Sequence, residues 1–401
     1  MTNTSNIFEA PNLFQVELTN YCNIDCTMCA RSAGLKRPIG HMDLGLFKKI
    51  VDQSKQYQMP IHWLHHFGDT LIYPHLREAL QYFKSNGYGP GNVSTNAILL
   101  NEEKIDILLE YGGNILCCID TMDPVAYKKI RNNNHFERVK RNIENLISER
   151  NRRNSDAQVV VQFLRTSHNM DEKLSEMMDH FGNHDHLRFI EKRTDKHPNG
   201  GDITILSVEH KWNPKRNCVK MHTEFCVLWS GECVPCCWDA DGEQIIGDVK
   251  LNSINNIWQG ELHKQMQGQL FRQEKGCLSL CDKCSGPVSD YLFGLQEQVN
   301  ALSSGWVDNN KRIVLASANQ AMFDLYEKSR LYSANIIAFC DAKPEGKVAP
   351  SNIPVIAYDQ IEYIKPDIVM IFSPKYSTEI YFQQRHWRDI GIEVVVLGEF
   401  L

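Results

Sequence analysis

In a chain of 401 residues, Cys22, Cys26 and Cys29 lie within the run NYCNIDCTMCA at the spacing C-x3-C-x2-C. Three thiolates so spaced can hold three irons of a [4Fe–4S] cube and leave the fourth open, whereas a closed electron-transfer cluster takes four cysteines. An open iron is a place to bind and cleave a ligand. The alternative is a zinc site or a few buried thiols. Zinc takes four ligands, commonly as two paired motifs, and this run offers only Cys26-x2-Cys29 with Cys22 offset.

A second group of thiols follows far downstream: Cys218, then Gly231 and Cys236, then Cys281-x2-Cys284. Four thiolates ligate every iron of a cube, so this set suits moving electrons better than binding a substrate. Cys226, Cys233, Cys237 and Cys277 remain, enough in number for a further cluster, but their spacing reads more readily as small buried hydrophobes. His62, His65 and His66 flank one strand signal and invite a metal reading; ordinary polar or supporting roles account for them as well.

These groups must be positioned by elements. From Phe14 to about Phe189, short β-rich runs alternate with helical stretches, the signature of a parallel sheet built from βα units. The runs FQVELT (14–19), IHWLHHF (61–67), ILCCID (115–120) and QVVVQFL (158–164) read as strands, LGLFKKIVDQ as a helix, and Asn101 as the N-cap of a helix opening with Glu102 and Glu103. The cysteine loop follows the first strand directly, at the barrel face where reactive loops collect. Asp120 ends a later strand on the same face.

With these residues in view, the chain resembles the radical SAM superfamily, in which the open iron binds S-adenosylmethionine (SAM) and an electron cleaves it to a 5′-deoxyadenosyl radical. The family usually has an aromatic before the third cysteine; here it is Met28, apolar and polarizable enough to lie on an adenine. The run HHFGDTLIYPHL resembles the family's glycine-rich element, which holds the methionine amino group; Gly68 and Asp69 are its cofactor-binding candidates, Asp replacing the usual Glu. In VSTNAILL, Ser94 and Asn96 match the next strand end, near the ribose or methionine moiety.

The spacing of Cys218, Cys236, Cys281 and Cys284 resembles an auxiliary-cluster domain of the twitch or SPASM type, and is similar to that of aminocyclitol dehydrogenases. The resemblance implies two [4Fe–4S] clusters, SAM, an external one-electron donor of flavodoxin or ferredoxin type, and oxidation of a hydroxyl-bearing carbon of a small molecule to a ketone. Epimerisation or rearrangement of a sugar, and peptide modification, are the rival reactions. Cys118 or Cys237 are candidate hydrogen donors for the former, and no residue stands out as the catalytic base.

The expected fold is α/β: a partial (β/α)6 TIM-type barrel over 1–210, a small Cys-rich α+β cluster domain over 211–304, and a Rossmann-like doubly wound domain over 305–401. The last shows continuous apolar strands separated by helices, but its first turn, SANQAM, lacks the glycines of a dinucleotide site. It resembles the C-terminal module of some sugar C-methyltransferases and sugar-acyltransferases, which favours a sugar or nucleotide-sugar substrate. A net charge of −6 with scattered Lys and Arg offers no stripe for nucleic acid. No apolar run approaches the ~20 residues of a membrane span. Leaderless and rich in reduced-type thiols, the chain reads as cytoplasmic.

Overall fold

The computed structural model describes residues 12–193, 219–271, 278–284, 299–300, 302–303, 305–373 and 376–397. Six strands build the first unit: β1 (Asn12–Val16), β2 (Ile61–Trp63), β3 (Gly91–Thr95), β4 (Gly112–Asp120), β5 (Gln158–Arg165) and β6 (Leu187–Arg193). β1 pairs with β2, and β3 through β6 pair in sequence order, all parallel. Between β2 and β3 the sheet is carried by Leu64 N–H donating to the Asn92 carbonyl at 2.9 Å and Asn92 Nδ2 donating to the His62 carbonyl at 2.8 Å. The result is an open, partial barrel.

Helices α1 (Leu44–Gln56), α2 (Leu76–Asn86), α3 (Glu102–Tyr111), α4 (Pro124–Arg131), α5 (Phe136–Arg153) and α6 (Leu174–Phe181) connect the strands. Their apolar residues recur at helical spacing, as with Phe47, Ile50 and Val51 on α1, and bury that stripe. Asp43 and Asn101 cap α1 and α3, accepting from the backbone N–H of Leu46 and Lys104. Alternation along the strands does the rest. Ile115, Cys117, Ile119, Val159 and Val161 join the main core, while Leu116, Val160 and Ile190 form an inner cluster with Trp63 and Cys118.

Two strands are shorter than their apolar runs suggest. β1 stops at Val16 because Glu17 turns inward to charged partners, and Leu18 and Asn20 bond instead to the 40–42 segment. β2 stops at Trp63: Thr70 Oγ1 folds back onto the Leu64 carbonyl at 3.2 Å, and Gly68 adopts φ +142°.

The cysteine-rich unit is joined to the barrel rather than separate from it. β7 (Glu224–Val227) pairs parallel with β1, and β8 (Glu232–Val234) and β9 (Gly247–Asp248) extend the sheet antiparallel, in the order β2-β1-β7-β8-β9. A small unit thin in apolar residues gains a core this way, through Phe225 and Val227, which pack with Leu13 and Val16 in the main cluster.

The C-terminal unit has its own parallel sheet: β10 (Ile313–Ala316), β11 (Ile336–Asp341), β12 (Val355–Ala357), β13 (Ile368–Ile371) and β14 (Glu393–Val396), in the order β12-β11-β10-β13-β14. It docks on α6, where Asp179 accepts from Tyr381 at 2.9 Å and from Arg388 at 2.6 and 3.1 Å. Among the described residues no helix is long and apolar enough to cross a membrane.

Candidate active site

Cys22, Cys26 and Cys29 sit in the loop after β1, at the C-terminal mouth of the barrel. The loop is a tight turn, with Cys29 N–H donating to the Cys26 carbonyl at 3.0 Å, and it is tied to the end of α4 by Thr27 N–H donating to the Ile130 carbonyl at 3.1 Å. Burial pushes the free thiols up, Cys22 to about 12 and Cys29 to about 11. Ligation to a metal replaces that proton. Donors already point at the sulfurs: Asn96 Nδ2 lies 3.8 Å from Cys22 Sγ and the Arg131 guanidinium 3.4 Å from Cys26 Sγ. N–H donors and a cation around three thiols are the donor set that stabilises bound thiolates. Among the described residues no group of three or more His, Cys, Asp or Glu side chains is placed to hold a single metal ion. Met28, between Cys26 and Cys29, is half-buried against the barrel core.

Gly68 is pressed onto this loop. A Cβ there would lie 2.5 Å from the Thr19 carbonyl oxygen and 2.9 Å from that of Tyr21, and φ +142° is open to glycine alone. Asp69, expected among the cofactor contacts, is instead turned into the protein. It is 1% exposed and accepts from Leu71 N–H at 3.0 Å, Thr95 Oγ1 at 2.9 Å and Asn96 N–H at 2.8 Å. A carboxylate one methylene shorter than Glu stays close to its own backbone, and here it fixes the end of β3. Asn96, so held, reaches Asn23 at 2.7 Å and Cys22. Ser94 is farther inside, its Oγ 3.6 Å from Cys118 Sγ.

Asp120 also has partners: Arg131 at 2.5 Å and Gln162 Nε2 at 2.8 Å, with φ +72° at its backbone. Arg131 thereby bridges Asp120 and Cys26. Sequence reasoning missed a buried hub at Glu17. Glu17 is fully buried and accepts from both guanidinium nitrogens of Arg37 at 2.6 Å and from the backbone N–H of Phe67 and Trp229, each at 3.1 Å. Burial would raise its carboxyl, but His66 and Arg37 outweigh it and hold the group at about 2. A lone acid inside the apolar run FQVEL was the available signal.

Of the three histidines, His62 is exposed beside Phe14, with ring centroids 6.3 Å apart. His65 faces Gln15 across 3.4 Å, and His66 meets the Cys237 carbonyl at 2.9 Å. They do not converge on one point among themselves.

In the downstream set, Cys218 and Cys277 lie outside the described residues. The others are brought together through a short chain of bonds. Asp239 N–H donates to the Cys236 carbonyl at 3.1 Å, the Asp239 carboxylate accepts from Gln244 N–H at 2.8 Å, and Gln244 Oε1 accepts from Cys281 Sγ at 3.5 Å. Cys284 N–H closes the turn onto Cys281 at 3.2 Å. Cys226 and Cys233 are fully buried and pair with Val234 and Val227 across the β7–β8 ladder, which puts their side chains on opposite faces of the sheet.

Residues 16–162 match the family model of the radical SAM superfamily, residues 218–285 that of an iron–sulfur cluster-binding domain (SPASM), and residues 294–397 that of a C-methyltransferase C-terminal domain. A protein named probable GTP 3′,8-cyclase from Methanococcus maripaludis is 30% identical over 136 residues, 33% of this chain and 45% of that protein. The chain thus spans less than half the length of this relative. Among solved structures, Streptococcus suis SuiB bound to the precursor peptide SuiA aligns with TM-score 0.55 and 13% identity over 72% of this chain and 74% of that one. BtrN in complex with AdoMet and 2-DOIA aligns with TM-score 0.45 and 15% identity over 69% and 94%. Likeness at this identity concerns the fold. The cofactors these domains take are SAM with a [4Fe–4S] cluster, and an auxiliary [4Fe–4S] cluster.

Proposed function

We propose that this chain, which carries a radical SAM domain and an SPASM-type iron–sulfur cluster domain, oxidises a hydroxyl-bearing carbon of a sugar, nucleotide-sugar or aminocyclitol to a ketone. When bound, its cofactors supply a 5′-deoxyadenosyl radical that abstracts hydrogen and a second cluster that accepts the electron left behind, with a flavodoxin- or ferredoxin-type protein as the external donor. Cys22, Cys26 and Cys29 are the ligands of the first cluster in this reading, and Cys218, Cys236, Cys281 and Cys284 those of the second. Met28, Gly68 and Ser94 border the SAM site. Asp69 acts one step removed, as the positioning residue for Asn96.

One observation carries the reading. Polar side chains from β1, β3, β4 and β5 and from the turn after β2, Gln15, Ser94, Cys118, Gln162 and His65, gather on the inner face of the barrel. Such a face suits a small hydroxylated molecule, and the His66 contact to Cys237 ties the downstream set to the barrel mouth. A second reading, epimerisation, is favoured by Cys118, whose thiol stands on that face as a hydrogen donor.

The test is anaerobic turnover of the reconstituted protein with SAM, dithionite and a panel of aminocyclitols, sugars and nucleotide-sugars. A product two hydrogens lighter supports oxidation. An isomer of unchanged mass in H2O that gains one deuterium in D2O moves the assignment to epimerisation, and SAM consumption with the substrate's oxidation state unchanged sinks the dehydrogenase reading.

A further inference from the structure

The inner face of the barrel also presents a cation that none of the preceding chemistry uses. Lys192 lies near the end of β6, in register with Leu164 and two residues beyond Ile190, which packs in the inner cluster with Leu116 and Val160. Strand alternation turns Lys192 to the same face. The intervening Glu191 points the other way, bonded to Arg165 at 3.1 Å. Lys192 is exposed to solvent on that face, while desolvation by the surrounding protein pushes its ammonium down.

Among the described residues the ionisable groups that act on it include Cys118, Asp120, Cys237 and His65. Asp120 is already taken by Arg131 at 2.5 Å and Gln162 at 2.8 Å. The Cys118 thiol is pushed up by burial and stays neutral. Among the described residues Lys192 forms no ion pair, and an anion brought by a ligand supplies that counter-charge.

A second orphan lies on the same face. His65 Nδ1 is buried without a hydrogen-bond partner while Nε2 faces Gln15, and burial pushes the imidazole down to about 3. It is a neutral group with one free hydrogen-bonding position. Trp63 stands edge-on to it at 5.2 Å, an apolar surface beside a polar one.

Building on the reading above, we propose that the substrate carries a compact anionic group, a phosphate ester or a carboxylate, which Lys192 binds inside the barrel, while His65 Nδ1 bonds a hydroxyl of the same molecule. Hydroxyls alone leave Lys192 uncompensated; a neutral polyol therefore fits this face less well than an acidic or phosphorylated one.

The experiment is calorimetric titration of the reconstituted protein, SAM present, with inorganic phosphate, glucuronate and glucose, for the parent and the variants Lys192→Met, Lys192→Gln and Lys192→Arg. Iron content and melting temperature check that each variant is folded. At least one anion binds the parent more tightly than glucose does, loses about tenfold or more in affinity with Met or Gln, and largely recovers with Arg. Phosphate as the stronger ligand identifies a phosphate ester, glucuronate a carboxylate. The proposal is overturned if neither anion binds the parent, or if both bind the folded Met and Gln variants equally well. Oxidation is judged separately: turnover of a neutral polyol that ignores Lys192→Met defeats the anion subsite alone, and Lys192-dependent anion binding with no oxidised product defeats the dehydrogenase reading alone.

Discussion

The barrel and the C-terminal sheet are both parallel, and both end their strands in loops at the carboxyl edge, where ligands of such folds collect. They treat that edge in opposite ways. After β10, Ala318 N–H donates to Asp341 Oδ2 at 3.1 Å, and Lys347 pairs with Asp341 at 2.7 Å while donating to the Ala318 carbonyl at 3.0 Å. After β13, Ser373 N–H is taken by Ser377 at 2.8 Å. The position where a dinucleotide fold would receive its ligand is filled by the chain's own ion pair. In the barrel, among the described residues, the Cys22 and Cys26 sulfurs meet long N–H contacts, His65 Nδ1 has no partner, and Lys192 forms no ion pair. The two sheets thus differ at this edge: the described residues after β10 and β13 bond to one another, whereas those of the barrel leave polar groups unsatisfied.

The sharpest break of this comparison is removal of the thiols. Cys22→Ala/Cys26→Ala/Cys29→Ala lowers iron after anaerobic reconstitution from about eight to about four per chain and abolishes 5′-deoxyadenosine formation. A fall from about four to about zero would leave the barrel as the only cluster site and move epimerisation ahead of oxidation.

A smaller effect attends Glu17, which holds the barrel mouth together without touching its reactive groups. Its folded carboxyl stands at about 2 against an ordinary 4.5, which corresponds to about 3 kcal/mol. Because the folded value is depressed, that stability is fully present above pH about 4.5 and is lost as pH falls toward about 2. Glu17→Gln lowers the urea-unfolding free energy at pH 7 by about 3 kcal/mol or more and flattens its decline in acid, since Arg37 then remains buried without its partner. A variant as stable as the parent at pH 7 would remove Glu17 from the account.

Smallest is Asp341→Asn in the self-satisfied sheet. The Asp341–Lys347 pair is partly exposed, so the melting curve shifts by the equivalent of about 1 kcal/mol or less, and iron content and SAM cleavage stay at parent values. A loss of SAM cleavage in that variant would show that the two sheets are coupled and end the contrast.

Local features are legible in the amino-acid sequence alone. The C-x3-C-x2-C run lies in one loop, Asn101 caps its helix, and β4 and β5 sit where their β-branched runs suggest. Asn96 lies just past the end of β3, and its Nδ2 stands 3.8 Å from Cys22 Sγ. Asp69 misleads because residue type alone does not give the direction of a side chain: its backbone neighbours at Leu71 and Asn96 capture the carboxylate before a ligand can. Glu17 is invisible as a hub, since its partners at Arg37, Phe67 and Trp229 are 20, 50 and 212 residues away.

What the amino-acid sequence determined by itself was short-range: ligand spacing, caps, and the period-two alternation that separates the inner faces of β4 to β6 from the outer. Only the tertiary structure decided that β7 would lie against β1, that Arg131 would stand between Asp120 and Cys26, and that Lys192 would lie beside Cys118 and Asp120 without an ion pair among the described residues. The division has a physical cause. Spacing and alternation follow from bond geometry within a few residues, whereas burial and charge pairing depend on which distant segments exclude water from one another.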